Sequence, residues 1–256
     1  MSCAFTVRIT FHGDLAFFLR GNSVAHRQLC ERTSVKDLIE SCGVPHTEVD
    51  LILVNGAPAD FAQVLDQDAQ VDVYSSDYER FTFFPEKRLQ TTAIQKFVAD
   101  GHLGKLVRDL RLLGLDVLYD RDAEDRQLLA LAIAGDRALL TRDRRLLMHA
   151  VLRHGYYLRS QDPFEQTLEV LRRFELATAL APFTRCLSCN APLQPVEKAE
   201  VFERLEPLTK IYYEQFRRCD GCRQVYWRGS HFDKLQARVE EVRATLAAGN
   251  QKQTTA

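Results

Sequence analysis

Phe97-Val98-Ala99-Asp100-Gly101-His102-Leu103-Gly104-Lys105-Leu106-Val107-Arg108-Asp109-Leu110-Arg111-Leu112-Leu113-Gly114 is the stretch on which the fold turns. Its apolar opening, from Ile94 to Ala99, reads as a short buried strand. Leu103, Leu106, Val107, Leu110 and Leu113 then recur at three- and four-residue spacing, the period of a helix packed on one face. Gly114 sits where a left-handed cap would end it. Strand, short loop and amphipathic helix make one β-α unit.

The pattern repeats downstream. Leu115–Tyr119 reads as a strand before a helix from about Glu124 to Ala134, closed by Gly135. Ala138–Thr141 leads to a helix that ends before Gly155. Tyr156–Arg159 leads to a helix from Pro163 to about Leu176, with proline at a favoured first-turn position. Four β-α units with short connections predict a parallel sheet covered by helices over residues 93–182.

Upstream the period is two. Phe5, Val7, Ile9 and Phe11 share one face of a strand, and a turn is expected at Gly13-Asp14. Leu15, Phe17 and Leu19 read as a second strand. Ser34 caps a short helix through Val35, Leu38 and Ile39 that stops near Gly43. Leu51–Val54 and Asn55-Gly56 give a hairpin signal, and Gln70–Tyr74 a last strand. The order ββαββ describes a small α+β domain over residues 1–80. The Phe-rich, proline-interrupted stretch 81–92 reads as a linker whose aromatics pack on a neighbour.

Charge divides unevenly. Residues 1–80 carry 6 Lys and Arg against 12 Asp and Glu, residues 81–182 carry 16 against 14, and residues 183–256 carry 12 against 9. An acidic front and weakly basic remainder predict different partners for different parts. No apolar run approaches the roughly 20 residues that span a bilayer. The N-terminus lacks a basic region followed by an apolar one. The expectation is a cytoplasmic protein, with no membrane partner, whose seven cysteines stay reduced.

Cys186-x-x-Cys189 and Cys219-x-x-Cys222 carry the strongest chemical signal. Two such pairs offer four thiolates to one tetrahedral Zn²⁺. The 29 residues between Cys189 and Cys219 exceed an ordinary ribbon interval, so an excursion is expected between the knuckles. Gly221 stands where a knuckle often needs positive φ. A redox dithiol would need only one pair beside a thioredoxin-like unit. Cys3, Cys30 and Cys42 lack ligand spacing, and the seven histidines form no metal set. Residues 183–248 thus read as a zinc ribbon with a final helix over about 233–247, and 249–256 as a disordered tail.

The second signal is acidic. Asp100 ends the first strand of the α/β part, Asp120 and Asp122 follow the second with Asp125 opening the next helix, Asp143 follows the third, and Asp162 the fourth. Carboxyl ends of parallel strands form one ligand-binding edge. Clustered carboxylates favour a cation, and oxygen ligands suit Mg²⁺ or Mn²⁺. Each of these residues also stands near a helix start, where Asp is a preferred cap. Gly101 and Gly104 would admit a ligand close to the backbone. Lys105, Arg108, Arg111, Arg142, Arg144 and Arg145 lie around the same positions, with Lys105 and Arg142 expected to face a phosphate-backbone substrate and the others to be helix surface.

Two resemblances rest on these motifs. Leu53-Val54-Asn55-Gly56 and Val71-Asp72-Val73-Tyr74 within the ββαββ order resemble the ubiquitin-like β-grasp sulfur carriers of thiamine and molybdopterin synthesis. Those carriers end in Gly-Gly, whereas here Ser75-Ser76-Asp77-Tyr78 follows and the chain continues. That difference speaks against sulfur transfer and leaves a binding or scaffolding role, with a protein partner. The stretch from Phe97 to Asp116, Leu140-Thr141-Arg142-Asp143-Arg144, the cysteine pairs and Val225-Tyr226-Trp227-Arg228-Gly229-Ser230-His231 resemble the Mut-seven C-terminal ribonuclease family, a PIN-like fold with a fused zinc ribbon, over about residues 95–235. Members with a ubiquitin-like front domain fit the N-terminal part.

The resemblance implies a metal-dependent endoribonuclease acting on RNA. Asp100 falls at the first-strand acid, Asp125 at the acid opening the helix before the Thr-Arg-Asp strand, and Asp143 at the acid of that strand. A further acid of the pattern comes from an early helix, where Asp109 lies without matching the motif position. The rival expectation is a non-catalytic RNA-binding adaptor with a degenerate PIN-like fold. The linear division also predicts that residues from Thr92 onward fold without the front domain.

Overall fold

A computed structural model describes residues 5–76 and 84–253, with side chains described as far as residue 248. Phe81–Phe83 of the expected linker, and residues 254–256, lie outside the described residues. The chain forms two compact units, one of residues 1–94 and 124–157, the other of residues 95–123 and 158–256. The segment 124–157 therefore groups with the front of the chain, a division that linear order did not predict.

In the first unit, β1 (Phe5–His12) and β7 (Ala69–Ser75) pair in parallel at the centre of a five-stranded sheet. The order is β2-β1-β7-β4-β5, with β2 (Val24–Leu29), β4 (Val49–Val54) and β5 (Ala57–Ala59) all antiparallel to their neighbours. Helix α1 (Val35–Ser41) starts at Ser34, whose hydroxyl accepts the Asp37 amide. The alternation in β1 buries Val7, Ile9 and Phe11 against Val35, Leu38 and Ile39 of α1. Each such burial contributes roughly 1.5–3 kcal/mol. Asn55 and Gly56 both take positive φ, the geometry a two-residue hairpin requires. Two short strands, β3 (Thr33–Ser34) and β6 (Val64–Leu65), pair beside this sheet. This is the β-grasp architecture.

The expected second strand at Leu15–Leu19 is instead a 3-10 helix, Gly13–Leu19. Gly13 turns the chain at φ +68°, and the buried residues are Leu15 and Phe18, three apart. Phe17 stays about half exposed. The period is helical, and the strand that pairs with β1 comes after Arg20.

Phe84 packs on Leu51, Leu53 and Tyr74, and Leu89 joins the main core. Arg88 holds the fully buried Asp50 at 2.7 Å, and the Gln90 amide donates to the same carboxylate. The described end of the linker is thus tied to the β-grasp domain.

The α/β part supplies β8 (Lys96–Ala99) parallel to β9 (Asp116–Tyr119), and β10 (Ala138–Thr141) parallel to β11 (Gly155–Tyr157). These are the strands of the parallel α/β sheet. Helix α2 (Gly104–Leu112) buries Leu106, Val107 and Leu110, and ends where Gly114 takes φ +91°. Helix α5 (Pro163–Arg173) begins at Asp162, whose carboxylate caps the amides of Phe164 and Glu165. Between them in sequence lie α3 (Asp125–Ala134) and α4 (Arg144–Leu147). The helix expected to run towards Gly155 stops at Leu147. Leu152 is buried in a turn closed by its amide on the His149 carbonyl, which breaks the helical period.

In the C-terminal part β12 (Leu193–Val196), β13 (Phe216–Cys219) and β14 (Val225–Trp227) form an antiparallel sheet in that order. The excursion between the knuckles holds two short helices, α6 (Lys198–Val201) and α7 (Pro207–Tyr212), over a small core of Val201, Leu205 and Phe216. Helix α8 (Phe232–Gln253) continues into the stretch read as a tail. Among the described residues no helix is long and apolar enough to cross a membrane.

Candidate functional site

Cys186 and Cys189 lie on the turn before β12, Cys219 ends β13, and Cys222 follows on the next turn. Their four sulfurs lie within 4.8 Å of one another, and among the described residues this is the one group of metal-ligating side chains gathered closely enough to share an ion as it stands. The Cys186–Cys222 and Cys189–Cys219 sulfur separations are 3.6 and 3.3 Å. Four thiolates around Zn²⁺, each at about 2.3 Å, need sulfurs roughly 3.8 Å apart, so the donor set fits such an ion.

Backbone geometry makes the knuckles. Asn190 and Arg223, each just after the second cysteine of its pair, take φ +72° and +62°. Gly221 does not need positive φ, contrary to the expectation. A Cβ there would stand 3.2 Å from the Cys189 sulfur and 3.0 Å from Ala191, so glycine serves close approach instead.

The thiols differ electrostatically. Burial disfavours the Cys186 thiolate, but hydrogen bonds from the Tyr226 hydroxyl, at 3.1 Å, and from the Cys189 and Ser188 amides outweigh it and bring the pKa to about 6. Cys219 is pushed up to about 12 by burial and by its bond to Cys189. In return, burial and the Cys186 sulfur push the Tyr226 phenol up. Tyr226 also accepts the Leu187 amide, so one hydroxyl orders both the sulfur and the turn beside it.

The first knuckle is held by the α/β part. Arg111, on α2 and only 3% exposed, donates to the Val117 carbonyl and to the carbonyls of Leu187 and Ser188. The Asn190 side chain accepts the Val117 amide and donates to Asp116. Arg185 donates to the Gly114 carbonyl. Arg111 is thus buried, against the expectation of helix surface. The signal was its spacing, four residues beyond the buried Val107.

The acidic positions are individually clear. Asp100, half-buried, precedes a 3-10 turn and lies 3.4 Å from His102. Asp125 is exposed in the first turn of α3, whose cap is made by Glu124 with Gln127, so its carboxylate is not spent there. Asp143 is exposed and caps α4: its Oδ1 accepts the amides of Arg145 and Leu146, and its own amide donates to Thr141. Asp125 and Asp143 fall in the first unit and Asp100 in the second. Lys105 is exposed on α2, and Arg142 is half-buried. Asp109 is paired with Arg238 of α8 at 2.8 Å.

Gly101 and Gly104 answer to the chain itself. A Cβ on Gly101 would meet the Arg121 carbonyl at 2.2 Å, and one on Gly104 the Tyr119 hydroxyl at 2.9 Å. That hydroxyl donates to the Gly101 carbonyl. The glycines close the loop on β9 and the residues after it.

A β-grasp domain, parallel α/β strands and a ribbon-like C-terminal part with four clustered cysteines together define the class of protein. The Mut7-C RNAse domain family matches residues 95–239, more than half of the chain, and the Mut7-C ubiquitin family matches residues 4–80. The chain belongs to the Mut7-C RNAse domain family. A solved structure described as a candidate molybdopterin converting factor, subunit 1, from Pyrococcus furiosus shares 24% identity, covering 28% of this chain and 97% of that one at a TM-score of 0.23. No curated protein matches the chain.

Proposed function

We propose that the chain is a metal-dependent endoribonuclease in which Asp100, Asp125 and Asp143 hold Mg²⁺ or Mn²⁺, and Lys105 and Arg142 meet the RNA backbone. Membership in the Mut7-C RNAse domain family carries this reading. Carboxylates suit these hard cations, and Asp125 and Asp143 are exposed at the starts of α3 and α4. When bound, such an ion supplies an activated water and stabilises the leaving oxygen of a phosphodiester.

The chain's own residues would orient and neutralise. The Arg145 and Leu146 amides fix Asp143 Oδ1, and Oδ2 takes no part in the cap. Lys105 and Arg142 would offset phosphate charge. The four thiolates would hold zinc in a closed shell, which makes that ion structural. The front domain would offer a surface to a protein partner.

Purified protein mixed with total RNA, with and without Mn²⁺, followed by mapping of new ends, tests the reading. Metal-dependent cleavage that disappears in Asp143→Asn is expected. Binding of RNA without any Mn²⁺-dependent new end would replace the nuclease reading with that of an RNA-binding adaptor.

A further inference from the structure

The turn between α1 and β4 buries three polar residues. His46, Thr47 and Glu48 are 6%, 0% and 3% exposed. Burying such groups costs free energy unless partners are supplied. For two of them the partners come from the segment 138–157. His46 Nε2 donates to the Leu152 carbonyl at 2.8 Å, while Nδ1 lies 2.6 Å from Glu40. Glu48 accepts the Tyr157 amide at 2.6 Å.

Other contacts continue the seam. The Tyr157 ring lies 5.6 Å from that of Phe17 and 5.4 Å from that of Phe18, and packs on the β-grasp core. Arg144 Nη1 donates to the Phe18 carbonyl at 3.2 Å. The three polar anchors fall at Arg144, Leu152 and Tyr157, from the start of α4 to the end of β11.

Arg144 directly follows Asp143. Helix α4 is a single turn, too short to persist without tertiary support. Its cap is Asp143, so whatever fixes α4 also fixes the Asp143 carboxylate. We infer that the β-grasp domain acts in cis as a positioning subunit for the Thr141-Arg142-Asp143 turn, with Arg144 as the positioning residue nearest to it. The docking surface expected to recruit a separate protein is, along this seam, occupied by the chain itself. The functional meaning of the inference rests on the nuclease reading of Asp143; the positioning does not.

The test uses the full chain with Arg144→Ala, Arg144→Lys and Glu48→Gln, measuring amide exchange by NMR alongside RNA cleavage. Arg144→Ala should speed exchange of the Arg145–Leu147 amides about fivefold to tenfold, the effect of one lost hydrogen bond. Arg144→Lys, which keeps a donor for the Phe18 carbonyl, should restore much of the protection. Amides of α2 and α5 should not change, and cleavage should lose kcat with KM nearly constant. Wild-type exchange rates at 145–147 in both Arg144→Ala and Glu48→Gln would overturn the inference. Absence of cleavage by the wild type would sink the nuclease reading alone, because the exchange comparison needs no turnover.

Discussion

Arg111 donates to the Ser188 carbonyl at 2.7 Å, so a buried cation on α2 grips the backbone of the first cysteine knuckle. The same guanidinium reaches the Val117 carbonyl at the middle of β9. One side chain therefore joins the four-cysteine cluster to a strand of the α/β part. Burial pulls the Arg111 pKa down, and the nearby Cys186, Cys189 and Asp116 oppose that shift. Replacing Arg111 with Met would strip donors from three carbonyls. The expected cost is about 3 kcal/mol, together with faster loss of zinc. Chemical denaturation and zinc transfer to a chromophoric chelator would measure both. Unchanged zinc retention would show that the knuckle holds its shape unaided.

The metal itself is the second test. Purified protein should contain one equivalent of zinc, and Cys219→Ser should lose it and loosen the C-terminal part. Metal release should become easier as pH falls, because protons compete for the thiolates. Elemental analysis finding no zinc in protein prepared without chelator would remove the ion from this centre.

Much of this was legible in the sequence, and the exceptions share one cause. The period of β1, the Ser34 cap, the Asn55-Gly56 turn and the paired cysteines act through neighbours a few residues away. Their signals are local. His46 and Leu152 are 106 residues apart, and Arg111 and Ser188 are 77 apart. Nothing near His46 tells that its turn is buried, and nothing near Arg111 except its place on the Val107 face tells that it leaves solvent. The 3-10 helix at Gly13–Leu19 carries an ambiguous pattern, because Leu15, Phe17 and Leu19 also fit a period of two. Packing of Leu15 and Phe18 decides the matter only in the folded chain. The grouping of 124–157 with the front domain has the same origin, in contacts between residues far apart in the chain.

The glycines of the Asp100 loop give a graded prediction. Gly101→Ala would set a Cβ against the Arg121 carbonyl, which is backbone and cannot move aside, at an expected cost of about 2–3 kcal/mol. Gly104→Ala meets only the Tyr119 hydroxyl, which can shift, so its cost should be smaller. Thermal melting of the two variants checks the order. Equal costs would mean that the loop moves as a unit.

The Asp109–Arg238 pair predicts a pH dependence. Burial raises the Asp109 pKa, and Arg238 pulls it back only in part. A folded-state pKa above the unfolded value means that the stability from this group is present in acid and is lost as pH rises through the folded value. Arg238→Met removes the cation and lets the pKa climb further. The variant should therefore be about 1–3 kcal/mol less stable than the wild type at neutral pH, with the difference shrinking in acid as Asp109 protonates. Denaturation curves at pH 7 and pH 4 would reveal it, and a penalty independent of pH would assign the effect to lost packing on Phe164, over which the guanidinium lies at 4.4 Å.

Asp143 allows structure and chemistry to be separated at one residue. As the cap of α4 it needs only an acceptor, which Asn also provides. As a metal ligand it needs its charge, which Asn lacks. Asp143→Ala should cost about 1 kcal/mol through the lost cap, whereas Asp143→Asn should leave stability nearly unchanged. Both should abolish Mn²⁺-dependent cleavage if the carboxylate holds the ion. Bound metal should also raise the melting temperature of the wild type by mass action, and neither variant should show the full rise. A wild-type curve that does not move with Mn²⁺, together with an Asn variant that behaves as the wild type towards RNA, would leave Asp143 with its cap alone. The RNA-binding reading would then stand in place of the nuclease one.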